Sequence, residues 1–269
     1  MRIRIPRMVA LAAAVVLAGV TSVSGTSAAT AGTPAPAKPT IVLVHGAFAD
    51  AASWSGVIER LQRRGYPVVA AANPLRGLAS DAEHVRTVLD SVRGPIVLAG
   101  HSYGGAVMTN AATGDPDVKA LVYIAAFAPD RGENALALSN KFPGSTLGAT
   151  LAPVGLGDGT ADLYIRQDLF RQQFAADVSP RQAALMAVTQ RPIRDAALSE
   201  ASGKPAWAGI PSWFLVAGAD RNIPVEAQRW MAGRAGSRKT VEIRKASHAV
   251  GVSHPGPVAD LIVRAATAR

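Results

Sequence analysis

Serine is a poor nucleophile at neutral pH and does chemistry only when the chain brings a base to it. Ser102 stands in the run Gly100-His101-Ser102-Tyr103-Gly104-Gly105. The first five residues fit G-x-S-x-G, the pattern of a strand–turn–helix nucleophile elbow. An apolar run, residues 95–99, leads in, and a small-residue run, residues 104–108, leads out. A serine at the apex of so sharp a turn needs neighbours with little or no side chain. Of the chain's 5 histidines, His248 is the candidate base. It lies four residues beyond the strand predicted over residues 241–244. His84 falls inside a predicted helix. His101 is fixed in the elbow, and its ring is expected to point away from the nucleophile. His254 precedes Pro255, and His45 belongs to the loop after the first strand.

Asp220 is the candidate acid, with Asp130 as its rival. An acid here accepts the other ring N–H of His248, fixes its tautomer and stabilises the imidazolium formed in the reaction. An oxyanion needs backbone donors. The N–H of Tyr103, next after the serine, supplies one, and that of Ala47 or Phe48 the other.

The elements that must position these groups follow from the apolar runs. Residues 41–44, 68–70, 95–99, 120–125, 212–216 and 241–244 read as strands, the first of them apolar throughout, as a strand buried on both faces requires. Helices are expected over residues 52–64, 80–92, 104–112, 225–232 and 257–266. Ser80 and Glu83 suggest a capping box at the start of the second. Six βα units imply an α/β fold with a mostly parallel, doubly wound sheet. Ligands then sit at the carboxyl ends of the strands, and His45, Ser102, Asp220 and His248 all follow such ends. Residues 127–205 break the alternation. They show no convincing strand and a loop over residues 144–159. Helices are expected over residues 161–176, 180–189 and 193–202, so this block reads as a helical insertion after the fourth strand.

The ends and the composition bound the rest. Residues 1–7 are basic, residues 8–20 apolar, and Ala29-Thr30-Ala31 offers a cleavage site. Residues 1–31 therefore read as a secretory signal peptide, with an uncleaved anchor as the alternative. The expected location is outside the cell, with no membrane span once the signal is removed. Residues 32–39 are a Pro/Ala linker, and the core is expected over residues 40–126 and 206–269. The 269-residue chain has no cysteine, which excludes disulfides, thiolate metal sites and a cysteine nucleophile. The formal charge is +9, spread without a basic stripe, and no nucleic-acid motif is present.

Several ordered motifs now carry a resemblance. They are His45-Gly46-Ala47-Phe48 with Ser53-Trp54, the Ser102 elbow, Ala125-Ala126-Phe127-Ala128-Pro129, Ile210-Pro211-Ser212-Trp213, Asp220, and Ser247-His248 with Ser253-His254-Pro255. Across residues 40–269 the chain resembles the α/β-hydrolase superfamily. Within it, the chain is similar to small capped esterases related to plant methylesterases and hydroxynitrile lyases. The resemblance implies the triad Ser102, Asp220 and His248, no cofactor, no metal, and a cap formed by residues 127–205. Hydroxynitrile lyases of this type carry a lysine directly after the catalytic histidine. Ala249 stands there, which disfavours lyase chemistry.

The expected activity is that of an exported serine carboxylesterase acting on small or medium acyl or aryl esters. Lactone, amide or thioester cleavage, cofactor-free perhydrolysis and a non-catalytic binding role are the alternatives. The substrate pocket is expected among His45, Phe48, Tyr103, Phe127, Tyr164 and Phe170, with Leu163, Phe174, Leu185 and Met186 as further apolar cap residues.

Overall fold

A computed structural model describes residues 37–268. The expected signal peptide and residues 32–36 of the expected linker lie outside the described residues. Strands β1 (Thr40–Val44), β2 (Val68–Ala71), β3 (Ile96–His101) and β4 (Val118–Ile124) alternate with helices α1 (Ser55–Arg63), α2 (Leu78–Asp90) and α3 (Tyr103–Ala111). The insertion follows. It holds α4 (Ala135–Ser139), β5 (Leu151–Gly155), β6 (Ala161–Ile165), α5 (Gln167–Phe174), α6 (Pro180–Thr189), β7 (Ile193–Arg194) and α7 (Asp195–Ser199). Alternation resumes with β8 (Ser212–Ala217), α8 (Val225–Arg234), β9 (Lys239–Ile243), α9 (Val250–Ser253) and α10 (Pro255–Thr267).

The main sheet runs β2-β1-β3-β4-β8-β9, and every neighbouring pair is parallel. Period-2 alternation sends Ile41, Leu43 and Val97 to one face and Val42, Val44 and Leu98 to the other. The first face packs on Trp54, Val57 and Leu61 beside Val258, Leu261 and Ile262 of α10. The second packs on Val85 and Leu89 of α2, Val107 and Met108 of α3 and Met231 of α8. Each side chain of this size contributes roughly 1.5–3 kcal/mol on full burial. Helices therefore cover both faces, and the carboxyl ends of the strands are left to carry the site.

Two local expectations are corrected. The insertion is mixed rather than all helical: β5, β6 and β7 form a three-stranded antiparallel sheet. Gly157-Asp158-Gly159 closes the β5–β6 hairpin. Both glycines have φ near +80, and Leu156 N–H donates to Thr160 O at 2.9 Å. A Gly-Asp-Gly turn between short runs is a hairpin signal, and it falls inside the stretch expected to be a loop. Helix α2 likewise does not use a Ser80/Glu83 capping box. It begins at Leu78, and the free N–H groups of Leu78 and Ala79 donate to the Glu200 carboxylate, 122 and 121 residues away in sequence. An acid from the insertion satisfies the helix end, so no local pair is needed.

Candidate active site

Ser102 sits between the end of β3 and the start of α3, with φ 54 and ψ −126. A non-glycine residue held there costs roughly 1–3 kcal/mol, so surrounding contacts must fix it. They do. Phe127 N–H and Gly105 N–H both donate to Ser102 O, at 3.1 and 2.9 Å. The loop after β1 presses on the turn. A Cβ on Gly46 would stand 2.6 Å from Ser102 Cβ, and one on Gly104 would strike Val44 O and lie 2.8 Å from His45 O. Glycine at these points is a matter of close approach.

The structure brings Ser102, His248 and Asp220 into one line. His248 Nδ1 lies 2.7 Å from Asp220 Oδ2, and its Nε2 lies 2.8 Å from Ser102 Oγ. A carboxylate only accepts, so Nδ1 carries the proton and Nε2 is left to accept from the serine hydroxyl. Both side chains are almost wholly buried. Asp220 is held by three further donors. Asn222 N–H and Ile223 N–H reach Oδ1 at 2.7 and 3.0 Å, and Gln228 Nε2 reaches Oδ2 at 2.9 Å. Such a cage fixes the direction of the carboxylate. Asp130 stands apart: its Oδ1 accepts from Arg131 N–H, and its own N–H donates to Glu133. The candidate base is held from the insertion as well. Ala249 N–H donates to Phe174 O at 2.9 Å, and the Phe174 ring meets His248 edge-on at 5.0 Å.

Of the two oxyanion candidates after β1, Phe48 is withdrawn, because its N–H donates to Arg191 O at 3.0 Å. Ala47 remains. Among the described residues neither Ala47 N–H nor Tyr103 N–H has a partner, and both residues border the cavity at Ser102. Tyr103 is anchored through its phenol, which donates to buried Asp81 at 2.9 Å. Burial pushes both groups above their usual pKa.

A cavity of about 100 Å³ opens over Ser102. Phe48, Tyr103 and Phe127 line it, together with Leu147, Leu198 and Ile223 from the insertion and the Asp220 loop. Those last three had no local signal, because only the chain's return over the sheet brings them there. His45, Tyr164 and Phe170 do not line it. His45 is wholly buried below, its Nδ1 2.9 Å from Gly46 O, and desolvation lowers its pKa. Tyr164 lines a different pocket beside Val154 and Val188. Phe170 is packed against Phe174 at 5.1 Å in the interior of the insertion. Among the described residues, no group of three or more His, Asp or Glu could hold a metal ion.

A parallel doubly wound sheet, a serine on a strained strand–helix turn and a lid inserted after β4 define an α/β hydrolase. The chain belongs to the alpha/beta hydrolase family, whose model matches residues 41–261. A rice relative, esterase PIR7B of Oryza sativa subsp. japonica, is 27% identical and covers 85% of this chain and 96% of its own. A pyrethroid hydrolase of Sphingobium wenxiniae is 29% identical over 82% of this chain and 85% of its own. The crystal structure of polyneuridine aldehyde esterase superposes with a TM-score of 0.74 at 21% identity, covering 85% of this chain and 99% of its own. Esterase-named relatives and the shared fold support a hydrolase acting on ester bonds.

Proposed function

We propose that this chain is an exported serine carboxylesterase that cleaves small or medium acyl or aryl esters through an acyl-enzyme on Ser102. The observation that carries the reading is the hydrogen-bonded line Ser102–His248–Asp220 beneath an apolar cavity. Ser102 Oγ attacks the ester carbonyl carbon while His248 Nε2 takes its proton. The carbonyl oxygen becomes an oxyanion and accepts from Ala47 N–H and Tyr103 N–H. Each such donor accounts for about 10²–10³ in rate. The tetrahedral adduct collapses, and His248 returns the proton to the departing alcohol. Water then adds to the acyl-enzyme with His248 again as base, and the acid leaves. Asp220 stays ionised and steadies the imidazolium.

The cavity's size suits an acyl chain of a few carbons or one aromatic ring, and its lining is mainly apolar. Relatives named as methylesterases and as a pyrethroid hydrolase widen the panel to methyl esters and pyrethroid esters. Export rests on the basic, apolar and small-residue order of residues 1–31.

Purified protein is assayed on p-nitrophenyl acetate and butyrate beside Ser102→Ala. Equal rates for the two proteins sink the esterase reading. Export is checked by N-terminal sequencing of protein from the culture medium, where a start near Gly32 is expected. Retention of the intact chain in the cells overturns it.

A further inference from the structure

His101 precedes the nucleophile in the elbow and takes no part in the chemistry just described. Its ring is buried, with Nε2 2.9 Å from the carbonyl oxygen of His248. The two imidazoles lie 4.7 Å apart, centroid to centroid, tilted by 50°. A carbonyl only accepts, so His101 carries its proton on Nε2 and donates it. Among the described residues no backbone N–H takes that carbonyl. The chain beyond turns so that Val252 and Ser253 bond to Ala249 O and His254 to Val250 O.

We propose that His101 is a positioning residue for the general base: its Nε2–H grips the main chain of His248, so the elbow sets where the base stands. This rests on Ser102 and His248 acting as nucleophile and base. The pair is then joined at two points. Ser102 reaches the His248 ring at 2.8 Å, and its neighbour His101 reaches the His248 backbone at 2.9 Å. The strained turn fixes Ser102, His101 fixes the backbone of His248, and Asp220 with Phe174 fixes the His248 ring. A misplacement of about 1 Å in such a constellation can cost about 10²-fold in rate.

The surroundings suit this task. Trp54 and Phe174 meet the His101 ring edge-on at 6.4 and 6.2 Å. Burial above all, with nearby His248 adding to it, holds the His101 pKa down to about 3. The ring therefore remains a neutral donor and adds no positive charge beside the imidazolium that forms on His248 in turnover. A histidine that merely filled space would need its volume and not its N–H.

His101→Gln keeps a side-chain N–H at comparable reach, and His101→Met keeps the bulk without it. Wild type, both variants and Ser102→Ala are labelled with a fluorophosphonate and assayed on p-nitrophenyl butyrate. Labelling of wild type but not Ser102→Ala upholds the serine mechanism independently. Without wild-type labelling that reading fails, and this inference falls with it. With labelling in hand, His101→Met is expected to lose about 10- to 100-fold in kcat and labelling rate. KM should stay within about threefold, as befits lost alignment rather than lost binding. His101→Gln should recover at least about fivefold of that loss, because the donor is restored. A Met variant as fast as wild type, or a Gln variant no better than Met, overturns the proposal. Should neither variant fold, ¹⁵N NMR of histidine-labelled wild type at about pH 5 decides, since a neutral Nε2–H tautomer at His101 is required there. An Nδ1–H tautomer overturns it.

Discussion

Gln173 of the insertion donates through Nε2 to Asn222 Oδ1 at 2.7 Å, and Asn222 in turn donates its N–H to Asp220 Oδ1 at 2.7 Å. Gln173 also donates to Arg221 O and accepts from Thr146 Oγ1, both at 2.8 Å. Ser139 and Ser145 add hydroxyl donors to Asn222 O, at 2.8 and 3.0 Å. The lid is thus bonded to the very loop that orients the candidate acid. Removing the lid's grip should be felt at the triad as well as in stability.

Gln173→Leu tests that link. It strands Asn222 Oδ1 in a buried place, which costs about 1–3 kcal/mol, while Arg221 O keeps the N–H of Thr146. A lower urea midpoint is expected, together with a kcat that falls more than KM rises. An unchanged midpoint and an unchanged kcat would show that the contact supports neither.

Asp220→Asn keeps the size of the acid and reverses part of its hydrogen bonding. An amide can donate where the carboxylate only accepts, so His248 is driven toward the tautomer with Nδ1 bare and Nε2 protonated. Nε2 can then no longer take the serine proton. A drop in kcat of about 10⁴ is expected from the same exchange in serine proteases, with the fold retained. Circular dichroism beside steady-state kinetics reads both. A loss under about tenfold would remove Asp220 from its role.

Gly104→Ala places a methyl group against the Val44 and His45 carbonyls. The β1 loop must retreat from the elbow, and a loss above about 3 kcal/mol or failure to accumulate as soluble protein is expected. Gly233→Ala, near the end of α8 with open space around the new methyl group, is the control. There a gain of about 0.5–1 kcal/mol is expected from helix preference. Thermal unfolding of the two proteins side by side checks the contrast.

His101 also predicts an acid response. Its folded pKa is about 3, against about 6.5 when unfolded. Between these values the unfolded chain binds a proton that the folded chain refuses. The stability tied to this group is therefore whole above pH ~6.5 and drains as pH falls toward 3, by up to about 1.4 kcal/mol per pH unit. Denaturant unfolding of wild type and His101→Gln over about pH 5–6.5 isolates the slope, which the variant should lack. Parallel curves for the two proteins would contradict it.

Much of the frame is legible in the order of residues. The β1, β3, β4 and β8 runs are apolar enough to require burial on both faces, and the elbow announces itself because its steric demand falls on immediate neighbours. The sheet of the insertion is not legible in this way. β7 is two residues long and exists only because Leu163 and Asp162 stand opposite it. The pocket is half legible. Phe48, Tyr103 and Phe127 adjoin strand ends and can be named from them, whereas Tyr164 and Phe170 are named only as apolar residues of the expected cap, and they stand on β6 and in the packed interior of the insertion.

By itself the sequence determined the polar groups along the strand ends and their order, Ser102, Asp220, His248, because periodicity and glycine sterics act over a few residues. Tertiary structure alone decided three things. It withdrew the Phe48 N–H to Arg191 O and left Ala47, it tied the lid to the acid through Gln173 and Asn222, and it turned His101 onto the His248 carbonyl. Each joins residues roughly 50 to 150 positions apart, and a contact of that kind has energy only after the sheet has closed the distance.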